Sequence, residues 1–270
     1  MHASLPKSYK NAFPFRLGTT SFIYPDNYIP NVRMLGPYVD EIELLMFESA
    51  EEGLPSKHEI KTLSRMAEEF DLTYNVHLPT DLSLTDNDPS AAHLAVEAIQ
   101  RVIDLTAPLS PSTHTLHLPY DENSQEREVV ERWQETAYKN VACLLDTGIS
   151  SESLSIETLD YPFEWVESII DTFQLPICID IGHFILYKIP FDFVYNKYYQ
   201  TTSIIHLHGV KDNQDHIALN HLSEADMSLV MGILEAFSGV VSLEVFSYDN
   251  LKDSLMFLEK SWHQEKDRKT

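Results

Sequence analysis

Basic residues are scarce in this chain: 19 lysines and arginines stand against 42 aspartates and glutamates, a formal charge of -23 over 270 residues. Proteins that bind duplex nucleic acid draw much of their affinity from Lys and Arg contacts to phosphates, so the balance argues against a nucleic-acid partner. The basic run at 266–269 reads as a solvated tail. Cysteine is nearly absent too. Cys143 and Cys178 are too few for a disulfide framework, and both lie in stretches that read as core, one helical and one extended. No apolar run approaches the ~20 residues that span a bilayer. Residues 1–15 lack the apolar centre of a signal peptide, so a cytoplasmic protein with no membrane partner is expected. No Ser/Gly-rich or Pro-rich linker interrupts residues 1–270, which read as a single domain. Also missing are a Gly-rich phosphate loop (Gly18-Thr-Thr offers one glycine) and a nucleophilic triad. Nothing in the chain marks an oligomeric state.

What is present is alternation. A hydrophobic content of 43% suffices for a sizeable core, and short β-type runs fall at 16–22, 41–48, 72–79, 113–119, 154–159, 176–183, 203–210 and 240–246. Helix-period segments lie between them, clearest at 56–70, 89–105, 125–146, 162–173, 223–237 and 250–263, weaker at 31–38 and 190–200. Ser56 and Glu59 have capping-box spacing, Pro162 suits a first helical turn, and Pro79 and Pro119 end their strands. Strand followed by helix, repeated eight times in ~250 residues, predicts an α/β fold of the (β/α)8 TIM barrel type. A doubly wound open sheet is the alternative.

The apolar runs end on histidines and carboxylates: His77, His117, Glu157, Asp180, His183, His206, His208 and Glu244. Strand period places His206 and His208 on one side, and Gly182 is expected to let the chain turn so that Asp180 and His183 reach one place. A lone strand histidine is ordinarily a satisfied core or loop residue. Five of the 12 histidines at strand ends, beside three carboxylates, are another matter, because unpaired buried charge is costly. In a barrel these ends frame the active site. Imidazoles mixed with carboxylates suit Zn, Mn or Fe(II). With Glu157 as a bridge, the set can hold two or three divalent ions, and paired ions activate water and clamp an in-line phosphoryl displacement. Glu157, Asp180 and Glu244 are the candidate catalytic carboxylates.

In type and order, His77, His117, Glu157, Asp180, His183, His206 and Glu244 match the endonuclease IV branch of the apurinic-endonuclease/xylose isomerase-like barrel superfamily. The resemblance covers nearly the whole chain and implies a metal-dependent phosphodiesterase with three ions. It also implies an Asp and a His in the loop after the seventh strand. Asp215 and His216 are the candidates, one residue short in spacing, with His208 or His221 as substitutes. A narrower likeness rests on Gly18-Thr-Thr-Ser-Phe-Ile-Tyr-Pro, Asn31-Val-Arg, the run 39–48, the run 72–79 and His206-Leu-His-Gly. These resemble the cobamide-remodelling phosphodiesterases, which implies a small-molecule substrate, a cobamide, cut to cobinamide phosphate and α-ribazole. Candidate substrate contacts are then Tyr24, Glu48, Tyr120, His208 and Lys211, with Phe184, Tyr187 and Phe246 as further ring partners; each has an ordinary reading as a core or surface side chain.

Two other functions fit the same barrel. A sugar isomerase or epimerase would use one ion held by Glu157, Asp180, His206 and Glu244, leaving His77, His117 and His183 in surplus. A non-catalytic corrinoid- or sugar-binding barrel would keep the shape alone. Metal stoichiometry separates the first, and absence of turnover the second.

Overall fold

Residues 2–269 are described by a computed structural model. The expected apolar runs pair side by side and close on themselves. Strands β1 (Arg16–Thr20), β2 (Glu41–Leu45), β3 (Thr73–His77), β4 (His114–Leu116), β5 (Leu154–Glu157), β6 (Ile177–Asp180) and β7 (Thr202–Leu207) follow in chain order. A hairpin of β8 (Gly209–Lys211) and β9 (Gln214–Ile217) stands apart, and β10 (Val240–Leu243) completes the barrel. All neighbours in the barrel are parallel, and closure pairs Arg16 with Val240 and Thr19 with Leu243. The helices are α1 (Tyr28–Leu35), α2 (Lys57–Phe70), α3 (Pro89–Thr106), α4 (Arg127–Asp146), α5 (Glu167–Phe173), α6 (Ile181–Tyr187), α7 (Phe191–Tyr198), α8 (Glu224–Ala236) and α9 (Tyr248–Lys269).

Local chemistry sets the boundaries. Ser56 accepts from the Glu59 N–H while the Glu59 carboxylate accepts from the Ser56 N–H, so both halves of the capping box form at α2. Asp88 caps α3, with Pro89 in its first turn. Pro162 departs from expectation: it precedes a short 3₁₀ turn, Phe163–Trp165, and α5 begins only at Glu167. The ladders stop two or three residues before the expected strand ends.

Outward-facing strand residues such as Leu17, Leu44, Val76, Ile156, Ile179, Ile205 and Leu243 pack beneath the helices in the main core. Inside the barrel Cys178, Ile204 and Val240 form a small separate apolar knot. The rest of the interior is largely polar. Cys178 is buried as expected, but Cys143 is not: it lies on the exposed side of α4. Phe184 is likewise a core residue, packed on Phe191 at 5.4 Å, rather than a mouth residue. The stretch before β1 is anchored by buried Leu5, Tyr9 and Phe15. The basic tail is continuous with α9, and the side chains of Arg268 and Lys269 lie outside the described residues. No helix among the described residues is long and apolar enough to cross a membrane.

Candidate metal centre

β3 and β4 deliver the first two rings. His77 Nδ1 lies 3.0 Å from the Leu78 carbonyl, which fixes the ring and leaves Nε2 facing inward. That Nε2 is 3.1 Å from His117 Nε2 and 3.5 Å from Glu157 Oε2, while His117 Nε2 is 2.9 Å from the same oxygen. Two ring nitrogens and a carboxylate oxygen thus crowd one point, the geometry of ligands around a shared cation.

β6 runs into α6 without a loop. Asp180 is the last strand residue and also the helix N-cap, its Oδ1 accepting the His183 N–H at 2.8 Å. His183, three residues on, returns over Asp180, with Nδ1 3.5 Å from Asp180 Oδ2 and 3.8 Å from Glu157 Oε1. Gly182 is therefore helical rather than a turn residue. Its missing side chain makes room instead, because a Cβ there would sit 2.1 Å from the His208 ring.

β7 and β10 supply His206 and Glu244. His206 Nδ1 lies 3.3 Å from Glu244 Oε2 and 3.6 Å from Glu157 Oε2, and its Nε2 is 3.1 Å from Glu43 Oε1. Glu43, fully buried on β2, also accepts from Ser242 at 2.6 Å. The hairpin turns at Asp212 and Asn213, both with positive φ. It folds His216 back onto His208, the rings stacked at 4.1 Å, with His216 Nε2 3.4 Å from Glu244 Oε2.

Among the described residues, four sets of ligand-type atoms result: His77, His117 and Glu157; Glu157, Asp180, His206 and Glu244; Asp180, His183, His208 and His216; and Glu157, Cys178 and His206. Burial pushes the Cys178 thiol pKa up, so this residue stays a protonated core thiol. Burial also works against the charged forms of Glu157, Asp180 and Glu244, but the surrounding histidines outweigh it and hold all three carboxyls below their usual range. For His77, His183 and His206 burial favours the neutral form, yet the facing acids raise their pKa values. His216 is raised to about 9, burial being outweighed by Glu244 and Asp215.

Whether these residues fit a cation is tested by what they leave unpaired. Asp180 Oδ2, His206 Nδ1 and Glu244 Oε2 are buried and have no hydrogen-bond partner among the described residues. Buried polar atoms are rarely left so, and three converging on one centre suit a metal that takes their lone pairs. The donor set of imidazoles and carboxylates, without thiolate, suits Zn, Mn or Fe.

Other expected site residues lie elsewhere. Asp215 joins none of the sets; its Oδ1 is 3.1 Å from His216 Nδ1, so it braces that ring from the solvent side. His221 is exposed on a 3₁₀ turn. Glu48 is exposed beyond β2, and Lys211 is exposed on the hairpin. His208 is fully buried, which removes it from direct contact with a substrate in this arrangement. Tyr120 donates to the Ser124 carbonyl and packs on Trp133 and Trp165. Tyr24 donates to the Ala3 carbonyl at 2.7 Å and lines a cavity of about 670 Å³ with Phe22, Phe246 and Tyr248. Phe246 also stacks on His216 at 5.2 Å, Tyr187 lies 5.8 Å from His183, and Phe47 meets His77 edge-on at 5.6 Å. All three rings are more than one-third exposed. Sequence reading missed Phe47 and the Glu43 partnership with His206; the run Glu41-Ile-Glu43, with two acids one pleat apart, was the available signal.

A closed parallel barrel with a candidate metal centre at the C-terminal ends of its strands defines the class. The chain belongs to the xylose isomerase-like TIM barrel family, whose model matches residues 33–262. No curated protein matches the chain in sequence. Among solved structures it resembles a D-tagatose 3-epimerase-like protein at 17% identity and a TM-score of 0.77, covering 95% of this chain and 100% of that one. It also resembles endonuclease IV from Thermus thermophilus at 15% identity and a TM-score of 0.66, covering 93% and 99%. The IOLI protein, solved with a zinc atom, matches at 13% identity and a TM-score of 0.68, covering 93% and 96%. Likeness at these identities shows the fold alone.

Proposed function

We propose that the protein is a metal-dependent phosphodiester hydrolase, with a cobamide as the favoured substrate. The observation that carries this reading is surplus. His77 and His117 gather at Glu157 apart from the set of Glu157, Asp180, His206 and Glu244, and a single ion cannot use both groups. Bound divalent ions would supply an activated water and neutralise charge on the phosphoryl oxygens. Glu157 lies between the groups, its Oε2 toward His77, His117 and His206 and its Oε1 toward His183. Asp180 and Glu244 each keep an open oxygen with which to hold an ion or orient water. The exposed rings of Phe47, Tyr187 and Phe246 border the mouth and can shelter a bulky, ring-bearing substrate. The charge of -23 weighs against DNA as that substrate. The cobamide assignment draws on the sequence motifs alone.

A second reading is a sugar epimerase with one ion on Glu157, Asp180, His206 and Glu244, where two carboxylates move a proton beside a carbonyl. Fold likeness favours it: besides the D-tagatose 3-epimerase-like protein, the similar structures include an L-ribulose 3-epimerase and D-psicose 3-epimerases. The deciding experiment incubates one metal-quantified sample with an adenosylated cobamide and, separately, with D-tagatose, and separates the products. Release of α-ribazole by protein holding two or more ions supports the hydrolase. Conversion of the sugar to its C3 epimer by protein holding one ion replaces it with the epimerase.

A further inference from the structure

Beside the candidate metal centre, the loop after β1 and the loop after β10 enclose a cavity of about 670 Å³, together with His2 and Ala3. Phe246 joins the two places, lining the cavity and stacking on His216 at 5.2 Å. From the other loop, Phe22 lines the cavity and stacks at 6.5 Å on Phe47, which in turn meets His77. Tyr24 and Tyr248, stacked on each other at 6.0 Å, complete the aromatic lining. The frame is set by the chain itself. Asn31, fully buried on α1, accepts the Tyr24 N–H at 2.8 Å and donates to the carbonyls of Tyr24, Asp26 and Asn27 at 3.1, 2.9 and 3.1 Å. The Tyr24 and Tyr248 hydroxyls donate to the Ala3 and Ser4 carbonyls at 2.7 and 2.9 Å. Both hydroxyls are therefore committed within the protein. Phe22 and Tyr248 are only half-buried and Phe246 is exposed, so all three keep free ring surface that a core aromatic would lack. Among the described residues no lysine or arginine lines this space; beside its tyrosines, the titratable side chains are His2 and Asp26, 3.6 Å apart. A carboxylate at the rim with no basic partner from Lys or Arg disfavours an anionic occupant.

We propose that this cavity is a binding subsite for an uncharged, planar heteroaromatic ring, and that it takes the base of the α-ribazole half of the substrate while the phosphodiester lies at the metal centre. Assigning the ring to the substrate's base rests on the hydrolase reading above. The volume lies within the range of about 300–1,000 Å³ usual for small-molecule sites. Stacking against Phe22, Phe246 and Tyr248 supplies the affinity, and it tolerates substitution on the base because every such ring has a π-face. The bond network of Asn31 holds the loop after β1 in place, which limits the ordering cost of binding. Division of labour follows: the cavity holds a neutral ring, and the centre reached through Phe246 handles the charged phosphoryl group.

The test measures binding of α-ribazole to the metal-loaded protein by calorimetry, with D-ribose and inorganic phosphate as competitors, and the KM for an adenosylated cobamide on the same samples. The wild type should bind α-ribazole, and neither competitor should displace it. Tyr248→Ala should weaken binding by about 5–150-fold, the scale of one base–aromatic stack, and raise KM by a similar factor. Tyr248→Phe keeps the ring without the Ser4 bond and should bind as the wild type does. Phe22→Leu, on the other loop, should weaken binding in the same direction as Tyr248→Ala. Failure of α-ribazole to bind, its displacement by D-ribose, or unchanged affinity in both Tyr248→Ala and Phe22→Leu would overturn the subsite. If the wild type cleaves the cobamide and any of these results is found, the subsite alone falls. If it binds α-ribazole through Tyr248 and cleaves no cobamide, the ring subsite stands and the hydrolase reading falls.

Discussion

At the N-terminal end of the barrel Glu41 is fully buried, yet each of its oxygens is engaged twice. Arg16 and Thr73 reach Oε2 at 2.7 and 2.5 Å, and Asn75 and Ser112 donate to Oε1 at 3.0 and 2.5 Å. At the C-terminal end, Asp180, His206 and Glu244 are also buried, and each keeps a polar atom with no hydrogen-bond partner among the described residues. Glu43 lies between the two regimes, one oxygen bonded to Ser242 and the other facing His206 without a hydrogen bond. A buried charge serving only the fold is surrounded by protein donors, whereas one left open is placed for something that is not protein.

The largest effect that would break this contrast belongs to the open end. Glu157→Gln and Asp180→Asn should abolish turnover and lower metal affinity by about two to three powers of ten, since losing one partner of a buried charged cluster costs about 3–5 kcal/mol. Far-ultraviolet circular dichroism should show the fold intact, and near-native activity in either variant would remove the metal site from the mechanism. Glu41→Leu should do the reverse. It strands the donors of Thr73, Asn75 and Ser112 and should cost about 3 kcal/mol of stability in a denaturant melt, while ion stoichiometry stays at the wild-type value. Glu43→Gln, between the two ends, should lower affinity by about 10-fold with little change in melting, because it acts through the orientation of His206.

The smallest effect is in pH. His114, on β4, turns away from the mouth: its ring nitrogens lie 3.1 Å from Thr106 Oγ1 and 3.1 Å from the Ser153 carbonyl, and burial lowers its pKa to about 4. Below its unfolded value of about 6.5 the unfolded chain binds a proton that the folded one refuses. Stability should therefore fall as pH drops from 6.5 toward 4, and His114→Gln should flatten that slope in melts taken across the window. His216 has the opposite sign in metal-free protein. With a folded pKa raised to about 9, its contribution is complete below about 6.5 and is lost as pH rises toward 9. An added ion needs the neutral ring, so metal should cancel this alkaline loss.

Much of the barrel was legible in the sequence because parallel strands buried on both faces read as short apolar runs, and the helices between them carry period and caps. Ser56 with Glu59 and Asp88 with Pro89 are local signals that local structure obeys. His77, His117, Glu157, Asp180, His183, His206 and Glu244 were legible as a set because each ends such a run. The hairpin was not. Its strands are three and four residues long and its turn is Asp212-Asn213 without a glycine, so it read as loop; the resemblance implied Asp215 as a ligand there, and among the described residues it joins none of the ligand sets. Cys143 failed for a related reason: an apolar stretch of a helix still has an outer face. Partnerships such as Glu43 with His206 depend on register around the closed sheet, and nothing local encodes them.

Closure of the barrel also sets an order of events. Arg16 pairs with Val240, and the candidate ligands run from His77 to Glu244, so the centre has no complete form until the last strand has joined the first. Contacts so distant along the chain form late and slowly. Metal uptake would then follow folding rather than guide it, and a bound ion would serve as a clock hand marking the moment at which the ring of strands is complete.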